Sequence, residues 1–216
     1  MQSEKNEKLK LALKAIEENL GAGTLAKLAR VVYIKKDGLD KQQSSVLSNV
    51  STDIKAEIFA MINEKNDLYQ LKLLLKKEID VNIKNNEGQT PLIKAILLNS
   101  QSIVQLLIQH GADVNLKSNG ITPLMLAAEK GLPYIAVTLI QANADIDAQA
   151  TDGMSIAMMA AREGHADIVE LLLSVFVNIK ATTIKGVTAL STAQQFEHEE
   201  VVQLIEKRLK SCSQDA

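Results

Sequence analysis

The chain has 216 residues, 46% of them hydrophobic and 23% charged, with a formal net charge of -2. That balance suits a folded protein and offers no strong field to nucleic acid or to a membrane surface. Cys212, the single cysteine, excludes an intramolecular disulfide, and no apolar run approaches the roughly 18 residues of a transmembrane helix.

Aromatic residues make up only 3%. Thin helical layers of Leu, Ile, Val and Ala are therefore expected rather than one thick core. Residues 1–10 are polar with alternating charge and lack the apolar centre of a signal peptide. A reducing, cytoplasmic location is expected, with signal-less secretion into a host cytosol as the open alternative.

Residues 4–20 read as an amphipathic helix with Leu9, Ala12, Leu13, Ile16 and Leu20 on one face. Gly21 and Gly23 end it, and a second helix is expected over 24–36. Residues 1–50 form a helical cap or subdomain on this reading, with nine Lys/Arg against six acids. A basic helix can touch a membrane or an acidic partner, but a solvated face over a packed one accounts for it better.

From residue 53 a period takes over. Thr90, Thr122, Ser155 and Thr188 follow one another at steps of 32, 33 and 33 residues, each preceded two positions earlier by glycine. A repeat of this length governs the whole fold. Each copy is a helix start: Thr or Ser caps free backbone N–H groups, and proline at 91 and 123 fills the first helical position. Short helices are expected over 91–98, 123–130, 156–163 and 189–196. They break at Asn99, Gly131, Gly164 and Glu197, where Asn and Gly favour the left-handed cap conformation. Second helices end in pairs such as Leu106-Leu107 and Leu171-Leu172, and Gly111 and Asn143 supply further caps. The grid extends upstream, since Leu74, Asp80 and Asn66 each stand 33 residues before an equivalent.

Gly-x-Thr-Pro-Leu, Gly164–Leu173 and the Gly-Ala-Asp-Val-Asn of Gly111–Asn115 together resemble the ankyrin repeat. The resemblance covers about 53–210 and implies an all-α fold: a solenoid of stacked helix–turn–helix units with short β-turn fingers and a concave face. We divide it into five units, 53–84, 85–116, 117–149, 150–182 and 183–210, the first and last being degenerate caps, with a disordered tail at 211–216. A single unit cannot bury both helix faces, so stacking is required.

The sequence departs from that pattern in places. The family's His after Thr-Pro-Leu is replaced by Ile93, Met125, Met158 and Ser191, which removes the inter-unit hydrogen bonds it implies. The cap glycine becomes Glu78 in the first unit and Phe176 in the fourth. The fourth finger is therefore expected to bend differently, with Phe176 against the last unit. The finger between units two and three is one residue short, a change that loops accept cheaply.

Little points to catalysis. The three histidines are absorbed by the repeat, and no cluster has metal-ligand spacing. No cofactor, metal or catalytic residue is expected. The resemblance instead implies protein binding. Three kinds of position line the concave face. The residue between glycine and Thr/Ser is Gln89, Ile121, Met154 or Val187. The first-helix ends carry Leu97, Leu98, Glu129, Lys130, Arg162 and Glu163, with Gln195 and Phe196 in the last unit. The finger tips complete the set. An apolar stripe with a polar rim is the composition of a protein interface.

The leading expectation is a non-enzymatic interaction module that binds a protein, with no nucleic-acid partner and no membrane insertion, acting as a monomer. A secreted bacterial effector or regulatory inhibitor, with 1–50 carrying targeting or a second contact, is the alternative. An enzyme with an unrecognised site is a remote third.

Overall fold

The computed structural model describes residues 55–63, 68–76 and 79–212, the side chain of Cys212 excepted. The expected cap over 1–50, the position of Glu78 and the last residues of the expected tail lie outside the described residues.

Among the described residues there are ten helical segments and no strand. They are α1 (55–61), α2 (Leu68–Leu75), α3 (Pro91–Leu97), α4 (Gln101–Gln109), α5 (Pro123–Glu129), α6 (Pro133–Gln141), α7 (Ile156–Glu163), α8 (Ala166–Ser174), α9 (Ala189–Gln195) and α10 (Glu199–Cys212). From α3 on, each consecutive pair is one unit. The first helices α3, α5, α7 and α9 touch in succession, as do the second helices α2, α4, α6, α8 and α10. The last helix runs on through Ser211 and Cys212, into the segment expected to be tail.

The helix starts follow the capping chemistry. Thr90, Thr122, Ser155 and Thr188 each accept a hydrogen bond from the backbone N–H three residues on. The ends follow it too. Asn99, Gly131, Gly164 and Glu197 all take positive φ, and the next residue's N–H returns to a carbonyl five positions back, as in Ser100 to Ala95 and His198 to Ala193. Glu197 adopts this geometry without suitable side-chain chemistry, because the fold around it over-determines the turn.

Burial explains why short helices persist. Helices of seven to nine residues are marginal alone in water. In α7 every residue from Ile156 to Ala161 is buried, because the helix packs on α5, α8 and α9. Leu74, Leu107, Leu139, Leu172 and Ile205 recur at the repeat period and are all essentially inaccessible. Each such side chain contributes about 1.5–3 kcal/mol on burial. Met158 and Met159 are buried in the same layers.

Two expectations are corrected. Phe176 keeps the left-handed cap geometry at φ 62, and Val177 N–H donates to Leu172 as Ala112 does to Leu107. The fourth unit therefore leaves its second helix in the same way as its neighbours. Phe176 does meet the last unit, where the Arg208 guanidinium lies 5.1 Å from its ring.

The second correction concerns polar links between units, which are present but displaced. At the substituted positions, Met125 and Met158 sulfurs accept from Thr122 and Ser155 N–H at 3.4 and 3.5 Å. Ser191 Oγ accepts from Thr188 N–H at 2.9 Å. These side chains close caps within their own unit. The inter-unit role passes to His165 and His198, whose Nε2 atoms meet the carbonyls of Glu129 at 3.1 Å and Arg162 at 3.0 Å. A carbonyl only accepts, so Nε2 carries the proton and satisfies a carbonyl left open at a helix C-terminus. At the first joint Lys94 does the same for Phe59 at 2.8 Å.

A second seam runs through the finger bases. Asp113 N–H donates to Asn82 Oδ1, Asp145 N–H to Asn115 Oδ1 and Asn178 N–H to Asp147 Oδ1, each at 2.8 Å. Asn82 and Asn115 also donate to the Gly111 and Asn143 carbonyls. The recurrent Asp/Asn residues are thus structural rungs.

Gly164 is constrained twice, by φ 75 and by a hypothetical Cβ lying 2.6 Å from the His198 ring. Gly111 has φ 86 and open space around it. Gly111→Ala is expected to cost about 1–2 kcal/mol for the left-handed backbone alone. Gly164→Ala should exceed that by the displacement of His198. Chemical denaturation of the two variants measures the difference, and equal losses would show that the His198 link contributes nothing.

Candidate partner-binding face

Each finger is built to deliver one residue. In three of them an N–H bonds the carbonyl four positions on, and a glycine N–H closes a tighter turn inside. The pairs are Asn85 with Gln89, Ala150 with Met154 and Thr183 with Val187, at 2.9–3.0 Å. The glycines Gly88, Gly153 and Gly186 take φ 75–83, the left-handed residue of a three-residue hairpin loop. The residue after each glycine is half-buried.

The short finger solves the same problem differently. Ser118 and Ile121 exchange both backbone bonds, at 2.9 and 3.1 Å. Asn119 and Gly120 between them have φ 51 and 85, the two-residue turn that Asn-Gly favours. The missing residue is lost from the tip, and Ile121 holds the register of Gln89, Met154 and Val187.

Neighbouring fingers are tied by side chains. Lys84 Nζ donates to the Lys117 carbonyl at 2.8 Å, and Lys117 Nζ to the Gln149 carbonyl at 2.7 Å. Asn119 Nδ2 donates to the Glu87 carbonyl at 3.2 Å.

The first-helix ends bring four of the expected residues together. Arg162, at the end of α7, lies 3.5 Å from Glu129 of α5 and 2.8 Å from Glu163. Its guanidinium also approaches Met154 Sδ, on the finger, at 3.7 Å. One cation therefore joins a finger, its own helix end and the preceding unit. Gln89, Leu97, Leu98, Lys130 and Val187 share no polar contact with this cluster. Leu97 is 44% exposed and Phe196 of the last unit 46% exposed, while Leu98 is half-buried and Lys130 exposed.

The contact of Met154 with Arg162 was not legible in the sequence, since the two belong to different categories of position. Their separation of eight residues, spanning a finger and two helical turns, is the only signal. No nucleophile–base pair appears in this cluster. Among the described residues no group of three or more His, Cys, Asp or Glu is placed to hold a metal, and no helix is long and apolar enough to cross a membrane.

Helix pairs stacked through capped starts and left-handed ends, with hairpin fingers on one side, define a helical repeat protein. The chain belongs to the ankyrin repeat family. The family described as ankyrin repeats (3 copies) matches residues 58–150 and 124–215. Such repeats generally mediate protein–protein interaction. The chain is 49% identical over 88 residues to YahD, a protein of Escherichia coli (strain K12) named for ankyrin repeats, a match spanning 38% of this chain and 44% of that one. It is 38% identical over 79 residues to the neurogenic locus notch homolog protein 1 of Homo sapiens, covering 36% of this chain and 3% of that protein. It is 46% identical over 76 residues to the human 2-5A-dependent ribonuclease, covering 34% and 10%. The matches therefore span less than half of each of these relatives.

The Arg162 side chain and its Glu129 partner are each 32% exposed. A half-exposed pair of this kind is worth about 0.2–1 kcal/mol. A double-mutant cycle on Arg162→Ala and Glu129→Ala is expected to return a coupling in that range, read from denaturant midpoints. A coupling of several kcal/mol would make the cluster a structural lock instead of an available surface.

Proposed function

We propose that this chain is a non-enzymatic interaction module that binds a protein partner through its concave face. The face comprises Gln89, Ile121, Met154 and Val187, the first-helix ends Leu97, Leu98, Glu129, Lys130, Arg162 and Glu163, and the finger tips. It acts as a monomer in a reducing compartment, consistent with a single thiol in the sequence.

The observation that carries this reading is the contact of Arg162 with both Met154 and Glu129. It joins one finger residue, Met154, to the ends of two successive first helices, which supports reading the fingers and helix ends as a single face. Half-buried apolar side chains form its floor, and Arg162, Glu129, Glu163 and Lys130 form a rim of mixed sign. This is the anatomy of an interface core with a polar border. Its mixed charge suits a protein better than a phosphate backbone.

The test replaces Ile121, Met154 and Val187 together by Asp and, separately, the exposed Tyr134 on the start of α6 by Asp. Tagged protein is used to capture partners from lysate of the source organism. The triple variant should lose the captured partner, a weakening of about 2 kcal/mol or more if these are anchor residues. Tyr134→Asp should retain it, and both should keep the helical circular dichroism. Undiminished capture by the folded triple variant sinks the assignment of this face.

A further inference from the structure

We propose that the tip of the short finger is a site of spontaneous deamidation at Asn119, with water as the only co-reactant. The Gly120 backbone nitrogen bonds to Asn119 Cγ and gives up its proton. The Cγ–Nδ2 bond breaks, and Nδ2 leaves as ammonia. Water then opens the resulting five-membered imide at either carbonyl, leaving aspartate or isoaspartate with one new carboxylate.

Three observations place the reaction here. Asn119 is exposed, and the residue after it has no side chain to shield its nitrogen. The two bonds that close the turn run between Ser118 and Ile121 and leave the Gly120 N–H out. The fold also holds glycine at this position: its φ is 85, and a Cβ there would run into Thr151 Oγ1. Other exposed asparagines at turns and finger bases, Asn86, Asn115, Asn143 and Asn178, precede Glu87, Leu116, Ala144 and Ile179, whose side chains crowd the attacking nitrogen, and Asn99 precedes Ser100, whose N–H is already held by the Ala95 carbonyl.

The product alters the finger pair. Asn119 Nδ2 donates to the Glu87 carbonyl across to the first finger. After reaction a carboxylate oxygen faces that carbonyl, and an attraction becomes a repulsion. Isoaspartate also adds a backbone carbon, which a two-residue turn has no room for. The reaction therefore removes one tie between the second finger and the first and leaves the Lys84 link to the Lys117 carbonyl in place.

The experiment incubates the folded chain in warm, mildly alkaline buffer and follows each asparagine by peptide mapping with mass spectrometry. The urea-unfolded chain is followed alongside to give the intrinsic rate. Residue 119 should lose its amide several-fold faster than residues 86, 115 and 143 in the folded chain, yielding both aspartate and isoaspartate. A folded chain that keeps the Asn119 amide while the unfolded chain loses it overturns the proposal. Hydrogen exchange of Asn119→Asp tests the consequence. Faster exchange at Gly88 and Gln89 than in the parent is expected, and unchanged exchange there refutes the loosening of the finger pair.

Discussion

Burial between neighbouring units is the constraint on which everything else rests. Among the described residues no helix from α2 to α9 is longer than nine residues, too short to stand alone in water. A single pair cannot cover its own apolar surface, and α7 shows the consequence, with six consecutive residues buried by three different neighbours. Small residues at Ala127, Ala128, Ala160 and Ala161 let these helices approach closely. Stability is then a sum of nearest-neighbour interfaces, and each interface requires every helix to start and stop in register. That requirement is why the caps repeat so faithfully, even where Glu197 and Phe176 are poor left-handed residues.

The polar seams solve a different problem. Fingers have no core of their own, and helix ends leave carbonyls open. The Asp/Asn rungs satisfy finger-base amides across units, and Lys94, His165 and His198 satisfy helix-end carbonyls. Neither device adds much net energy per bond, about 0.5–1.5 kcal/mol, but together they set the stacking geometry. The joints are stitched unevenly. Lysine ties act on the first two finger pairs, and histidine ties act on the last two helix joints. Such a stack need not open uniformly along its length.

Much of the candidate face was legible as a set of equivalent positions, because the period aligns them. Gln89, Ile121, Met154 and Val187 could be placed side by side from spacing alone, and they are half-buried at equivalent points of four fingers. The Arg162 cluster was not legible. It depends on how far α7 sits from α5 and on which way a flexible methionine leans, and neither is encoded in a repeat length. The short finger likewise read only as a change that a loop tolerates. Only its backbone shows that the deletion falls at the tip and leaves Ile121 in register. The exchange of linking roles between the residue after Thr-Pro-Leu and the histidine at the next helix start was hidden for the same reason.

The sequence by itself determined the repeat and its length, because capping and left-handed turns are local chemistry that a few residues decide. It also determined which residues are interior, since the leucine period can be satisfied only by stacking. Tertiary structure alone decided which polar groups meet across units, how the shortened finger closes, and that one finger and two helix ends meet at Arg162. Those contacts join residues about 28 to 36 positions apart, or on separate elements. Their geometry is set by the rotation from one unit to the next, a quantity that no single repeat contains.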